Sequence, residues 1–463
     1  MRCNGSATAA SPMNVNEERP ATTDLARLPR AFVDRLTNPL ASFLRIEALG
    51  GAVLLAAAVT ALVVSNSPWG PLFANIWDTS IGLQVGSVEF ARSLRDWIND
   101  ALMTLFFFLV AVELKRELVL GELSSIRVAA LSIAAALGGM MMPATLYLLL
   151  QSGQAGAAGW GTVMATDTAF VIGALALLGT RIPQILKVFM LSLAIVDDIG
   201  AILVVAVGYS NAIVWQALVA AGVGVAVIPA MTRIGVRGVP VYLVLGGFIW
   251  LAIDASGVHA TIAGVILGLL TPARRWVSDK RLYAILGQVI AHPDAADDSG
   301  ATKDRETLQV AAIAARESLA PVERIEMALH PWVGFLIMPL FALANAGLPF
   351  VSLRDLEISV TAAILVGLVI GKPAGILTFC WLAVRIGVAV RPAQLTWDLL
   401  AGGSALGGIG FTMALFIANR AFDAELLNSA KMGILLASVL SAAFGLSLLG
   451  WFTRGERRRG ANA

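Results

Sequence analysis

Charge is scarce in this chain: only 14% of its 463 residues are Asp, Glu, Lys or Arg, against about a quarter in an ordinary soluble domain. Histidine occurs three times and cysteine twice. Cys3 lies in a polar tail and Cys380 inside an apolar run, so no disulfide framework is expected. A net charge of +2 does not indicate a nucleic-acid partner. Residues 1–46 lack the apolar core of a signal peptide, and no Walker-type glycine loop occurs. What the chain has is apolar side chains, 58% of the total, with a mean hydropathy of +0.80. That composition describes one large polytopic membrane domain.

Apolar runs of spanning length fall at 47–66, 97–120, 128–150, 159–180, 185–209, 211–232, 239–255, 257–272, 326–346, 359–384, 397–418 and 429–452. They imply an all-α membrane protein of about twelve spans. The seventh and eighth runs are short and join near Ser256 and Gly257. Eleven spans, with the chain ends on opposite sides, is the alternative. Charge placement favours twelve. With the N-terminus in the cytoplasm, most of the 33 basic residues fall in cytoplasmic segments, as the positive-inside rule requires. Arg92, Arg95, Arg354, Arg420 and Lys431 fall on the outer side, and Lys372 lies within a span. The expected organisation is a cytoplasmic extension (1–46), a membrane domain (47–453) holding a long cytoplasmic loop (273–325), and a basic cytoplasmic tail (454–463). Within the loop, residues 305–320 have the pattern of a surface helix. Outside, Ile81 to Phe90 alternates apolar and polar residues around Gly86-Ser87, which predicts a small β-hairpin with a glycine-first turn. An irregular loop is the alternative.

The ionisable residues inside spans carry the chemistry. Asp197 and Asp198 are adjacent in the middle of the run from Val188 to Gly208. A carboxylate at that depth costs roughly 2.5 to 3.5 kcal/mol, so the pair marks a place where protons or small cations bind. Successive helical residues point about 100° apart. One carboxylate is therefore expected to face a water-filled cavity while the other turns to a neighbouring helix. Lys372 is central in its span and is the expected partner of one of them. The cluster would titrate as a coupled set. A purely structural ion-pair network is the bland alternative. Thr166-Asp167-Thr168 has the composition of a helix start and predicts a break in its span, with Asp167 neutralising the N-terminus of one half-helix. A continuous helix is the alternative. The eleventh span holds Gly402, Gly403, Gly407, Gly408 and Gly410 before Phe411-Thr412-Met413, a second weak point that also suits a packing face. Asp100, Glu113 and Glu117, with Lys115 and Arg116, line the second span. His259 begins a short span and reads equally as a pH sensor or an ordinary interfacial histidine.

WINDALMTLFFFLVAVELKREL (97–118), ATDTAFVIGALALLG (165–179), LAIVDDIGAI (193–202), SGVHATIAGVILG (256–268), LHPWVGFLIMPLFALANAG (329–347), IGKPAGILTFCWLA (370–383) and GGIGFTMALFIA (407–418) together resemble the bacterial NhaA-type sodium/proton antiporters. The resemblance runs from about residue 47 to 450 in one order. It implies twelve helices, with spans 3–5 and 10–12 as inverted repeats and spans 4 and 11 unwound where they cross. Interrupted spans in corresponding places mark inverted-repeat transporters, a class of which the NhaA type is itself a standard case. By the same resemblance Asp197 and Asp198 are the ion-binding and proton-carrying pair. Asp198 is then the principal ligand of a transient Na⁺, and Asp197 is coupled to Lys372. Thr166 and Asp167 sit at the crossing, and Asp100 belongs to a network in the cytoplasmic half. Glu113, Arg116, Glu117, His259 and Glu326 match positions tied to pH activation, and the hairpin (81–90) matches a homodimer contact. The implied activity is electrogenic, pH-regulated exchange of cytoplasmic Na⁺ or Li⁺ for external H⁺ by alternating access in a bacterial inner membrane, among lipid and without a resident cofactor. Another inverted-repeat cation-coupled transporter or symporter is the second reading. The polar N-terminal extension and the lengthened 273–325 loop depart from the family pattern. An intramembrane aspartyl hydrolase, the other class with membrane aspartates, would place its two acids on facing helices, which adjacent residues cannot do.

Overall fold

The computed structural model describes residues 47–460 apart from 86–87, 122–125, 210–212, 235–238, 274, 276, 291–301 and 350–355. The 1–46 extension, the hairpin's expected glycine-first turn and the acidic stretch of the long loop therefore lie outside the described residues. Two short strands, β1 (Ser80–Val85) and β2 (Val88–Ser93), pair antiparallel with Ser80 opposite Ser93 and Val85 opposite Val88. The alternation read over 81–90 thus does form a hairpin, extended by a residue or more at each end. Helix makes up nearly all the rest.

The helices in chain order are α1 (Glu47–Ser65), α2 (Gly70–Asp78), α3 (Leu94–Val119), α4 (Ile126–Leu150), α5 (Thr168–Leu177), α6 (Gln184–Gly208), α7 (Trp215–Ile234), α8 (Val239–Ala255), α9 (Ile262–Leu270), α10 (Asp279–Ile290), α11 (Thr302–Glu317), α12 (Pro321–Asn345), α13 (Ile358–Ile386), α14 (Trp397–Gly407), α15 (Phe411–Ala421) and α16 (Ala424–Gly460). A tight 3₁₀ segment, Ala155–Val163, precedes α5. Helix α11 falls on the segment read as a surface helix, and α16 continues into the basic tail. Helix α2 has no counterpart among the apolar runs. It is short and turns 117° away from α1.

Among the described residues, seven helices are long and apolar enough to cross a membrane, or up to ten if each of three bent pairs counts as one crossing. The seventh and eighth apolar runs fall on α8 and α9, and neither is long enough alone. Twelve crossings is therefore a finer count than length and composition carry. Two of the bent pairs are the expected weak points. The 3₁₀ segment and α5 meet at 51°, and α14 and α15 at 44°. The glycines at 156, 159 and 161 remove side chains from the first. Gly408 and Gly410 do so in the second.

Two devices position helix α13, which carries Lys372. One is close approach to α4: a Cβ on Gly138 would collide with the Gly375 carbonyl, and a Cβ on Gly375 with that of Gly138. Only glycine allows two backbones this near. The other is a π-helical turn over Gly367–Gly371, immediately before Lys372-Pro373. Proline lacks an N–H and its ring crowds the carbonyl four residues back. Here that carbonyl belongs to Val369, inside the widened turn. Helix α12 repeats the arrangement, with a π turn over Val333–Ile337 before Pro339. The core of buried apolar residues runs through α1, α3, α4, α6 and α12 to α16, and a smaller cluster joins α7, α8 and α9.

Candidate functional site

The two broken segments meet each other, and the meeting satisfies backbone groups that each break releases. Asp167 N–H donates to the Ile409 carbonyl at 2.7 Å. The Thr166 hydroxyl lies 3.1 Å from the Gly407 carbonyl. Asp167 is the N-cap of α5, where its Oδ1 accepts from Phe170 N–H at 3.2 Å. Its Oδ2 accepts from Thr412 N–H at 3.0 Å, at the start of α15, and from the Thr412 hydroxyl. One buried carboxylate thus faces the positive ends of two half-helices, where a negative charge is most favoured. The sequence anticipated one of these ends. Thr412, the donor at the second end, was missed, although it stands two residues past Gly410 in the glycine run.

Helix α6 brings the aspartate pair against this crossing. Asp197, Asp198, Thr166, Asp167, Lys372 and Thr412 are all at most 2% exposed. Lys372 Nζ donates to Asp197 Oδ2 at 2.6 Å and also to the Met164 carbonyl in the opened chain before α5. The Thr166 hydroxyl lies 2.6 Å from the same Asp197 oxygen. Asp197 is therefore neutralised and held. Asp198 is not. Its one recorded polar contact is to Thr168 Oγ1, at a long 3.4 Å, and its Oδ1 has no partner among the described residues. Asp197 Oδ1 is likewise unpartnered. A buried carboxylate without a counter-charge or full hydrogen bonding costs several kcal/mol. Taking up either a proton or a small cation removes that cost. Na⁺ is hard and prefers oxygen, and the oxygens here are two carboxylates and two threonine hydroxyls.

The remaining candidates separate into two groups at opposite ends of α3. At the C-terminal end Arg116 pairs with Glu326 at 2.6 Å and Glu117 at 3.0 Å. Lys115 reaches the Leu269 carbonyl at 2.8 Å. Glu113 lies 4.0 Å from His330, a histidine that no sequence signal singled out. At the N-terminal end, beside the hairpin, Asp100 pairs with Arg92 at 2.8 Å and with Arg420, and Arg92 also pairs with Asp254. Burial opposes the charge on Arg92, but Asp254 and Asp100 outweigh it and hold its pKa above the ordinary value.

Asp100 stands apart from Glu113 and Arg116. The 13 to 16 residues between them amount to roughly 20 to 24 Å of helix. Its partners Arg92 and Arg420 are among the few basic residues that the charge pattern puts outside. His259 is also apart from that group, with Nε2 2.9 Å from the Tyr209 carbonyl at the end of α6. The signal was available in the charge count itself, since a span that starts outside has its first residues outside.

Likeness to known proteins bears on what such a site serves. The sequence profile of the family described as Na+/H+ antiporter 1 matches residues 41–449. The Na(+)/H(+) antiporter NhaA 2 of Acidiphilium cryptum (strain JF-5) is 60% identical over 422 residues, covering 91% of this chain and 94% of that protein. The Na(+)/H(+) antiporter NhaA of Rhizobium meliloti (strain 1021) is 57% identical over 434 residues, covering 94% and 99%. The Na(+)/H(+) antiporter NhaA 2 of Vibrio vulnificus (strain CMCP6) is 52% identical over 439 residues, covering 95% and 98%.

Proposed function

The chain belongs to the Na+/H+ antiporter 1 family, and on that premise we propose that it exchanges Na⁺ for H⁺ across a bacterial cell membrane at Asp197 and Asp198. The observation that supports this site most is the contrast between the two carboxylates: Asp197 is paired with Lys372 at 2.6 Å, while Asp198 is buried with an oxygen that no described residue satisfies. Asp198 holds either a proton or the cation. Thr166, Thr168 and freed backbone carbonyls of the crossing supply further oxygens. Lys372 trades partners with the occupant: when Na⁺ draws Asp197 into its shell, the ammonium keeps the Met164 carbonyl, and when protons arrive it returns.

Further features belong to the same proposal. Spans 3–5 and 10–12 are inverted repeats, and α8 with α9 complete twelve crossings with both chain ends in the cytoplasm. The two broken spans support that symmetry. The crossing is the pivot of alternating access. Li⁺, smaller and equally hard, is a second cargo. The cluster of Glu113, Arg116, Glu117 and Glu326 at the cytoplasmic mouth is the pH-responsive element, with His259 acting separately from the outer end. The hairpin pairs with that of a second copy. If two protons enter for each Na⁺, each net charge gains about 2.3 kcal/mol per 100 mV, or roughly a 40-fold extra sodium gradient.

The deciding experiment uses proteoliposomes carrying an internal pH dye and an imposed sodium gradient. Asp198→Asn keeps the shape of the side chain and removes its charge. Sodium-driven alkalinisation or acidification should vanish. Exchange at the wild-type rate would remove Asp198 from the site, and sodium flux without proton flux would make the protein a channel or a symporter.

A further inference from the structure

Helix α15 is a half-helix tied down at both ends. Its first turn sits at the crossing, where Thr412 donates to Asp167. Its 11 residues rise about 16 Å to Asn419 and Arg420, and both of these side chains reach other elements. Arg420 donates to Asp100 Oδ1. The other oxygen of that carboxylate accepts from Arg92 Nη1 at 2.8 Å, and Arg92 Nη2 pairs with Asp254 at the end of α8. Asn419 Nδ2 donates to Asn345 Oδ1, at the end of α12, at 3.1 Å. Asn345 and Asn99 exchange two amide hydrogen bonds, at 2.8 and 3.3 Å. Asn99, Asp100 and Asn345 are all buried. Asn99 and Asp100 are consecutive and lie on a π-helical turn, Trp97–Leu102, a local widening frequent at functional sites.

Between the crossing and this polar cluster the packing is apolar. The Phe416 ring meets Phe107 of α3 and Phe341 of α12, with centroids 5.4 and 6.4 Å away, and every residue from Phe411 to Ala418 is buried. On the other side of the crossing Thr168, the neighbour of Asp198, is partly exposed. An aromatic layer topped by amides and ion pairs thus closes the end of the bundle that holds the hairpin. Polar contacts of this kind open reversibly, because water replaces each partner that leaves. Asp100 also has two arginines, so Arg420 can depart while Arg92 keeps the carboxylate paired, and no buried anion is stranded. Arg420 itself is 26% exposed and reaches water as it goes.

We propose that Arg420 and Asn419 latch the outer end of α15 to Asp100 and Asn345, and that release of this latch opens the aspartate site to the outside. The proposal rests on the exchange and the membrane orientation proposed above. Arg420, Asn419 and Asn345 are positioning residues: they touch no transported ion and act through the placement of α15.

The test measures how fast a membrane-impermeant maleimide reaches a thiol beneath the latch. The full-length protein carries Phe416→Cys and Cys3→Ser, in right-side-out and in inside-out membrane vesicles. Native Cys380, buried in α13, serves as the internal control for general loosening. Ala418→Cys, at a buried position one residue before Asn419, is the second probe. Adding Arg420→Met should speed labelling of the Phe416→Cys thiol in right-side-out vesicles about tenfold or more, the worth of one charge-assisted hydrogen bond. Asn345→Ala should speed it several-fold, and Arg420→Lys, which keeps the charge, should stay within about threefold of the unaltered latch. Labelling at Cys380 should not change. Rates unchanged in both Arg420→Met and Asn345→Ala would overturn the latch. So would an equal rise at Cys380, which would mean loosening throughout, or a rise confined to inside-out vesicles, which would put the cluster on the other side. Asp198→Asn added to Arg420→Met should label as fast as Arg420→Met alone, so the latch and the transport site fail independently.

Discussion

Asp197 and Asp198 are identical side chains one residue apart, and about 100° of helix gives them opposite surroundings. Asp197 turns toward α13 and meets Lys372 and Thr166. Asp198 faces the start of α5 and is left with one long contact, to Thr168. That the pair is a candidate ion site was legible from two acids in an apolar run. Which of the two meets Lys372 is in no local pattern; the family resemblance implied Asp197, and the rotation of α6 against α13 brings that contact about. The pairing has a stability consequence. Removing one member of a buried ion pair leaves the other uncompensated, so Lys372→Met should lower the unfolding free energy by about 3 to 5 kcal/mol. Adding Asp197→Asn to it should recover most of that loss, because neither member of the pair is then left charged without its partner. Thermal unfolding of the purified protein in detergent reads both. A double variant no more stable than Lys372→Met would mean the contact is not an ion pair. Transport should stay absent in either.

At the scale of elements, the breaks before α5 and between α14 and α15 were visible as Thr-Asp-Thr and a glycine run. Their contact was implied only by the family resemblance, since nothing local says that residues 167 and 409 share a hydrogen bond. Equally hidden was the short helix α2, whose nine residues are too few for an apolar periodicity to stand out. Helix placement around the site depends on the α4–α13 approach. A methyl group on Gly138 would meet the Gly375 carbonyl, part of a rigid backbone. Gly138→Ala should therefore cost about 1 to 3 kcal/mol through overpacking and slow exchange by moving Lys372 away from Asp197. Gly222, in α7, has nothing within 4 Å of the same added methyl. There Ala should be neutral or stabilising by about 0.5 to 1 kcal/mol. Chemical unfolding of the two variants side by side checks the pair, and equal effects would mean that the close approach does not set the packing.

For the molecule as a whole, a protein of this family is a transporter rather than an enzyme, and the exchange proposed above makes two cations compete for the same oxygens. Below the pH at which the site empties of protons, sodium affinity should fall about tenfold per unit of pH if one proton competes, and about a hundredfold if two do. Calorimetric titration of sodium across the acidic range measures that slope. It also decides whether the exchange moves net charge. An affinity indifferent to pH would dismiss shared carboxylates altogether. The separation of Glu113, Arg116, Glu117 and Glu326 at one end of α3 from Asp100 at the other makes a second expectation. Arg116→Gln should displace the pH dependence of exchange while leaving its maximum within a few-fold, because it touches neither the crossing nor the pair. A fall at all pH values without displacement would assign Arg116 to structure alone.

By itself the sequence determined that this chain lives in a membrane, which residues are charged at depth, and where two spans are weak. These are properties of composition and of neighbours along the chain. Tertiary structure decided that one carboxylate serves the ends of two half-helices, that Asp198 is left with one long polar contact, and that Asp100 and His259 stand apart from the Glu113 cluster. Each of these joins residues tens to hundreds of positions apart, brought together by helix rotation and glycine-permitted approach, and no local pattern encodes such a distance.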